Sequence, residues 1–205
     1  MRRHAALERL CDCLGRLPGI GRRTAERLAF NLVTSHRPVL QDLQSALQEA
    51  AVRLAACSCC GGLTIAEENP CRLCTDQRRD DNVLCVVEDP LDIMRIEQAG
   101  GYHGRYHAIM GRLSPMGGVG AGDLRMAELL QRVEQGRFRE VILALNSNVE
   151  SDATAHFIAS RLAGMDRSGM QVSRLAMGIP AGGGVANADM LTLASALRGR
   201  RTLER

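Results

Sequence analysis

Lysine is missing from the 205 residues, so all 26 basic side chains are arginine. That excludes a Walker A phosphate loop, a Schiff base to a carbonyl substrate or pyridoxal cofactor, and any catalytic amine. Tryptophan is also missing, and the aromatic residues are Phe30, Tyr102, Tyr106, Phe138 and Phe157 alone. A protein that grips single strands by stacking bases on aromatic rings would need more of them. No run approaches the roughly 20 apolar residues of a membrane span, and the N-terminal MRRHAALERLCD lacks the apolar core of a secretory signal. The expectation is a soluble, cytoplasmic protein with no membrane partner.

The arginines that are present are unevenly placed. Residues 1–56 hold nine of them against five acids, while residues 57–205 hold seventeen against eighteen. Arginine binds phosphate through a planar fork that is always charged, so the N-terminal excess points to a polyanionic partner.

Eight cysteines occur, and five of them (Cys57, Cys59, Cys60, Cys71 and Cys74) crowd into eighteen positions. Cys57-x2-Cys60 and Cys71-x2-Cys74 each place two thiolates for one metal, and the four sulfurs complete the shell of one structural Zn²⁺ per chain. A closed four-thiolate shell leaves no open position for catalysis. Cys59 complicates the register, but Cys57 and Cys60 have the better spacing. Cys11, Cys13 and Cys85 read as small core residues.

Leu7, Leu10, Leu14 and Leu17 recur at helical spacing until Pro18 and Gly19. A second helix follows Gly21, with Ala25, Leu28, Ala29 and Leu32 inward, and residues 39–55 suggest a third. Beyond residue 82 the pattern changes to short β-branched runs, LCVVE and VILAL, with Tyr106–Met110 and Val172–Ala176 as further strands. Helical stretches at 90–99, 123–135 and 152–164 alternate with them, and a last helix lies near 189–198. Strand alternating with helix implies a doubly wound parallel sheet.

The hairpin LPGIG at 17–21 joins the first two helices. Gly19 and Gly21 permit a tight turn and close approach of the main chain to another molecule. Free amides at the start of the second helix can receive a phosphate oxygen, and Arg22, Arg23 and Arg27 stand beside them. At the other end of the chain's chemistry, Glu88 closes LCVVE, while Glu150 and Asp152 follow VILALNSNV. Acids at adjacent strand ends can converge on Mg²⁺, or simply cap helices, as Asp89 before Pro90 suggests. The glycine-rich stretches at 111–124 and 178–189 lack the residues of a nucleotide motif and read as flexible connectors. His107 and His156 read as packed or surface residues.

In order, LPGIGRRTAERLAF, the cysteine quartet, LCVVEDPLDIMRIE, GYHGRYHAIMGRLSPMGGVG, EVILALNSNVESDATAHFIA, RLAMGIPAGGG and TLASALRGR resemble the bacterial recombination-repair family RecR over essentially the whole chain. The resemblance implies an α/β multi-module protein. Its parts are a helix-hairpin-helix region (1–55), a four-cysteine zinc motif (56–79), a Toprim domain (80–176) and a C-terminal segment with assembly contacts (177–205). It also implies a tetrameric ring around duplex or gapped DNA that acts with RecO, and often RecF, to load RecA on DNA coated by single-strand-binding protein. By position, DNA-facing basic residues fall on Arg23 and Arg27, zinc ligands on Cys57, Cys60, Cys71 and Cys74, and RecO-contacting acids on Glu88, Glu150 and Asp152. Where the family reads E-G-E-A-T, this chain reads Glu150-Ser151-Asp152-Ala153-Thr154, and its C-terminal segment departs at Val185–Met190.

No catalysis is expected. The alternative is a Mg²⁺-dependent Toprim nuclease or related phosphoryl-transfer enzyme, and a third reading is a zinc-stabilised scaffold that binds only protein.

Overall fold

The computed structural model describes residues 4–165, 169–200 and 202. The chain divides into two compact units, one ending at Ala55 and one beginning at Ala56.

The first unit is helical: α1 (Ala5–Gly15), α2 (Arg22–Thr34) and α3 (Arg37–Arg53). Small residues let α1 and α2 approach closely, since Ala25 and Ala29 are buried and a Cβ added at Gly15 would sit 3.8 Å from that of Ala25. Cys13 is exposed and Cys11 half-buried. This corrects their reading as core residues, because no residue of α1 is fully buried. The third helix ends at Arg53, two residues short of its expected limit, because Leu54 turns extended and opens a strand.

Strand β1 (Leu54–Ala56) spans the boundary and pairs with β2 (Leu63–Ile65), and the short α4 (Arg72–Thr75) follows. Next come β3 (Asp80–Val87), α5 (Pro90–Ala99), β4 (Gly104–Ala108), α6 (Met126–Gln135), β5 (Glu140–Ala144), α7 (Val149–Ala163) and β6 (Gln171–Arg174). The four longer strands form one parallel sheet in the order β4-β3-β5-β6. β3 is therefore internal, and the chain winds outward from it in both directions, as the strand and helix alternation predicts. The final helix, α8 (Met190–Arg198), is capped by Asp189, which accepts from the amides of Leu191 and Thr192 at 2.9 Å.

Alternation along β3 sorts the core onto two faces. Leu84 and Val86, with Val141 and Leu143 of β5, meet Leu129 and Val133 of α6 and Ala155, Ile158 and Leu162 of α7. Cys85 and Val87, with Tyr106 and Ala108 of β4, meet Ile93 of α5 together with Cys57, Cys60 and Cys71. The cysteine segment thus helps cover the second face of the sheet.

Boundaries differ from expectation where capping decides them. Asp89 does cap α5, with Pro90 as its first residue. Asn148 accepts from Ser151 N at 2.9 Å and starts α7 at Val149. Glu150 and Asp152 therefore lie in the first turn of a helix and not at the strand end. Their negative charge suits that position. The 111–124 stretch is no loose connector, since Ser114 and Val119 pair across a tight turn and Leu113 N donates to Thr154 Oγ1 at 2.9 Å.

Candidate functional site

Three constellations foreseen in the sequence can be located. In the helical unit, Gly19 has φ +78° and makes the turn out of α1, while Gly21 precedes α2 with no side chain capping the helix start. A Cβ at Gly19 or Gly21 would meet nothing within 4 Å, so this backbone is open to another molecule. No acid occupies the first turn of α2. Arg22 reaches Glu26 at 3.5 Å, whereas Arg23 and Arg27 are exposed and form no ion pair among the described residues. A bare helix start and two uncommitted guanidinium groups make an anion-attracting face.

The cysteine quartet is assembled as its spacing predicts. The Sγ atoms of Cys57, Cys60, Cys71 and Cys74 all lie within 4.8 Å of one another, with Cys60 to Cys71 at 3.6 Å and Cys57 to Cys74 at 3.9 Å. A tetrahedron with Zn–S bonds of ~2.3 Å has sulfur–sulfur edges of about 3.8 Å, so the donor set fits such an ion. Gly62 N and Cys71 N each donate to a ligand sulfur at 3.3 Å. Asn69 Oδ1 accepts from Ser58 N and Oγ at 2.8 and 2.9 Å, tying the two cysteine turns together.

Proton affinities in the quartet are mutually exclusive. Hydrogen bonds from Cys60 and then Cys74 draw the Cys71 thiol down to about 2, while Cys60 is pushed up to about 12, foremost by its bond to Cys71. Cys74 is raised too, by its bonds to Cys59, Cys60 and Cys71. Four sulfurs this close cannot all ionise unaided, and a cation at their centre would supply the missing charge. Cys59 stays outside the quartet, and its bond to Cys74 lowers it to about 6. Cys85 is buried in the core as expected, and burial raises its thiol to about 12.

The acidic edge is already neutralised from within. Glu88 is 3% exposed and accepts from Asn146 N at 2.9 Å and Nδ2 at 2.8 Å. Arg112 Nε donates to Glu150 at 2.7 Å, and its Nη1 lies 3.8 Å from Glu88. Asp152 pairs with Arg174 at 2.6 Å. Among the described residues, the cysteines are the one set of His, Cys, Asp and Glu side chains whose ligand atoms converge closely enough for a metal. Arg112, Arg174 and Asn146 escaped the sequence reading, which had no signal for contacts made across 22 to 58 residues.

His107 is fully buried, with Nε2 3.0 Å from Arg125 O, and burial lowers its imidazole to about 4. The phenols of Tyr102 and Tyr106 are raised above their ordinary range by burial. Tyr106 donates to Glu97 at 2.6 Å and Tyr102 to Arg105 O at 2.8 Å.

Comparison with known proteins matches these parts in order. Residues 7–51 match the RecR helix-hairpin-helix family, 82–176 the Toprim domain and 178–201 the RecR C-terminal family. A Thermobifida fusca protein named recombination protein RecR is 46% identical over 199 residues, covering 97% of this chain and 98% of that one. The chain belongs to the RecR family. A RecR of Desulforudis audaxviator is 48% identical over 94% of this chain and 95% of its own, and one of Brucella anthropi 46% over 96% of each. Within this RecR chain no helix of the described residues is long and apolar enough to cross a membrane.

Proposed function

We infer that this chain is a DNA-binding recombination mediator without catalytic activity, which acts with RecO, and in many settings RecF, to promote RecA loading on gapped DNA. The observation that carries the reading is the open glycine turn followed by Arg23 and Arg27, both free of acidic partners among the described residues. The amides at the start of α2 and the side chains of Arg22, Arg23 and Arg27 take phosphate oxygens without reading bases. Both duplex and gapped DNA are then acceptable partners.

Cys57, Cys60, Cys71 and Cys74 hold one structural Zn²⁺, which would cross-link the two cysteine turns. The acids Glu88, Glu150 and Asp152 serve contact with RecO and not phosphoryl transfer. One observation favours this over the Mg²⁺ nuclease: arginines already occupy the carboxylates. Assembly into a tetrameric ring is supported by apolar side chains left exposed at helical spacing, Val39, Leu43 and Leu47 on α3, and by Met190, Leu191 and Leu197 on α8. A protein of this function works in the cytoplasm beside the nucleoid.

The test is binding to duplex and gapped oligonucleotides by Arg23→Ala, Arg27→Ala and the double variant. Weakened binding that is uniform across sequences is expected. Affinity equal to that of the natural chain would overturn the hairpin as the DNA-binding face.

A further inference from the structure

The two cysteine turns are bolted to the sheet by arginines that lie outside the cysteine motif. Arg105, in β4, has a side chain only 10% exposed, and its Nη1 donates to the carbonyls of Leu73 at 2.8 Å and Cys74 at 3.0 Å in the second turn. Arg125, just before α6, sends Nη2 to Ser58 O in the first turn at 3.1 Å. Its Nη1 is buried with no hydrogen-bond partner among the described residues, and it sits so close to Gly61 that a Cβ there would lie 2.2 Å away. Beside them, Ala108 N donates to Cys60 O at 2.7 Å, so β4, the edge strand of the sheet, receives the first turn directly.

Buried cations beside a sulfur cluster need an electrostatic reason. A divalent ion inside four thiolates leaves two negative charges in excess, enclosed where solvent screens them poorly. Each arginine also has an acid: Asp81 lies 2.7 Å from Arg105 Nε and Glu128 3.5 Å from Arg125 Nε. Both acids are exposed to solvent, with side chains 72% and 51% accessible, while the arginine side chains are only 10% and 18% exposed. Screening by water weakens the acids' claim on those charges.

We propose that Arg105 and Arg125 are positioning residues of the metal centre: each fixes the main chain of one cysteine turn, and together they offset the excess charge of the metal-bound thiolates. Affinity for the ion is then set by the Toprim sheet as well as by the cysteine motif. The proposal rests on reading the quartet as a zinc site.

The test uses the full-length chain. Zn²⁺ affinity is measured by competition with a chromogenic chelator, and Co²⁺ replaces zinc to report the thiolate-to-metal charge-transfer band. Arg105→Gln and Arg125→Gln should each lose about 10–100-fold in affinity, the range usual for groups that orient metal ligands. Arg105→Lys keeps the charge and loses the paired carbonyl contact, so a several-fold loss is expected. Arg78→Gln, on an exposed side chain paired with Asp76, should change nothing. Gln variants that keep full affinity while melting lower both with and without metal would assign the arginines to sheet packing alone and overturn the proposal. If the Gln variants fold poorly, Arg105→Lys and Arg125→Lys decide, and undiminished affinity in both overturns it. A natural chain with no tetrathiolate Co²⁺ spectrum would instead overturn the zinc reading, a separate failure.

Discussion

Arg112 stands between Glu150 and Glu88, donating from Nε to the first at 2.7 Å while its Nη1 lies 3.8 Å from the second. Ser114 donates to the other oxygen of Glu150, and that bond, followed by Arg112, holds the carboxyl below its ordinary range. A guanidinium and a divalent cation compete for the same carboxylate lone pairs. Arg112→Ala should therefore leave two neighbouring acids without a counter-charge and raise Mn²⁺ binding above that of the natural chain. Electron paramagnetic resonance of free Mn²⁺ reads this directly, and equal Mn²⁺ uptake by both chains would show that Arg112 does not compete with a cation there.

His107 offers a pH signature. Its imidazole is held neutral down to about 4, chiefly by burial, against an ordinary value near 6.5. An unfolded chain takes up this proton as pH falls below about 6.5, whereas the folded chain refuses it until about 4. The unfolded state thus binds more protons in that window, and stability falls as the solution is acidified, by at most on the order of 3 kcal/mol. His107→Gln keeps a donor for Arg125 O and cannot titrate. Denaturant unfolding between pH 7 and 4.5 should give a shallower slope for that variant, and identical slopes would locate the acid sensitivity elsewhere.

These two groups also mark where the sequence becomes unreadable. The helical spacing of Ala25 and Ala29, the strand LCVV, and two C-x2-C pairs are local patterns, and each gave a correctly placed element because one stretch of backbone decides it. Arg112 meets Glu150 across 38 residues and Arg174 meets Asp152 across 22, so no local pattern announces either pair. Cys13 failed for another reason: on a helix with no fully buried residue, small size says little about which face looks inward. The glycines of 111–124 suggested mobility, but glycine equally serves the turn that lets Ser114 reach both Val119 and Glu150.

Ser151 carries a hydroxyl whose cost the structure shows. The residue is fully buried in the first turn of α7, and its Oγ has no hydrogen-bond partner among the described residues. A buried hydroxyl without a partner forfeits about 1–3 kcal/mol of solvation, and alanine is the better helix former. Ser151→Ala should therefore stabilise the chain by about 1 kcal/mol and keep the cap, since Asn148 accepts from the main-chain amide. Thermal melting at fixed metal loading checks it. A lower melting temperature would mean that the hydroxyl has a partner in solution.

Salt dependence separates phosphate neutralisation at the hairpin from any other effect of removing its arginines. Each phosphate that an arginine neutralises on duplex DNA contributes about 0.9 to the slope of log affinity against log salt. Arg23→Ala and Arg27→Ala should each reduce that slope by roughly this amount on duplex and by about 0.7 on single strands, while Arg53→Ala, already paired with Glu49 at 3.0 Å, should alter it little. Titrations at several salt concentrations with one duplex and one gapped substrate supply the slopes. Weaker binding with an unchanged slope would mean that the substitutions disturb the packing of α2 and that these side chains do not touch phosphate.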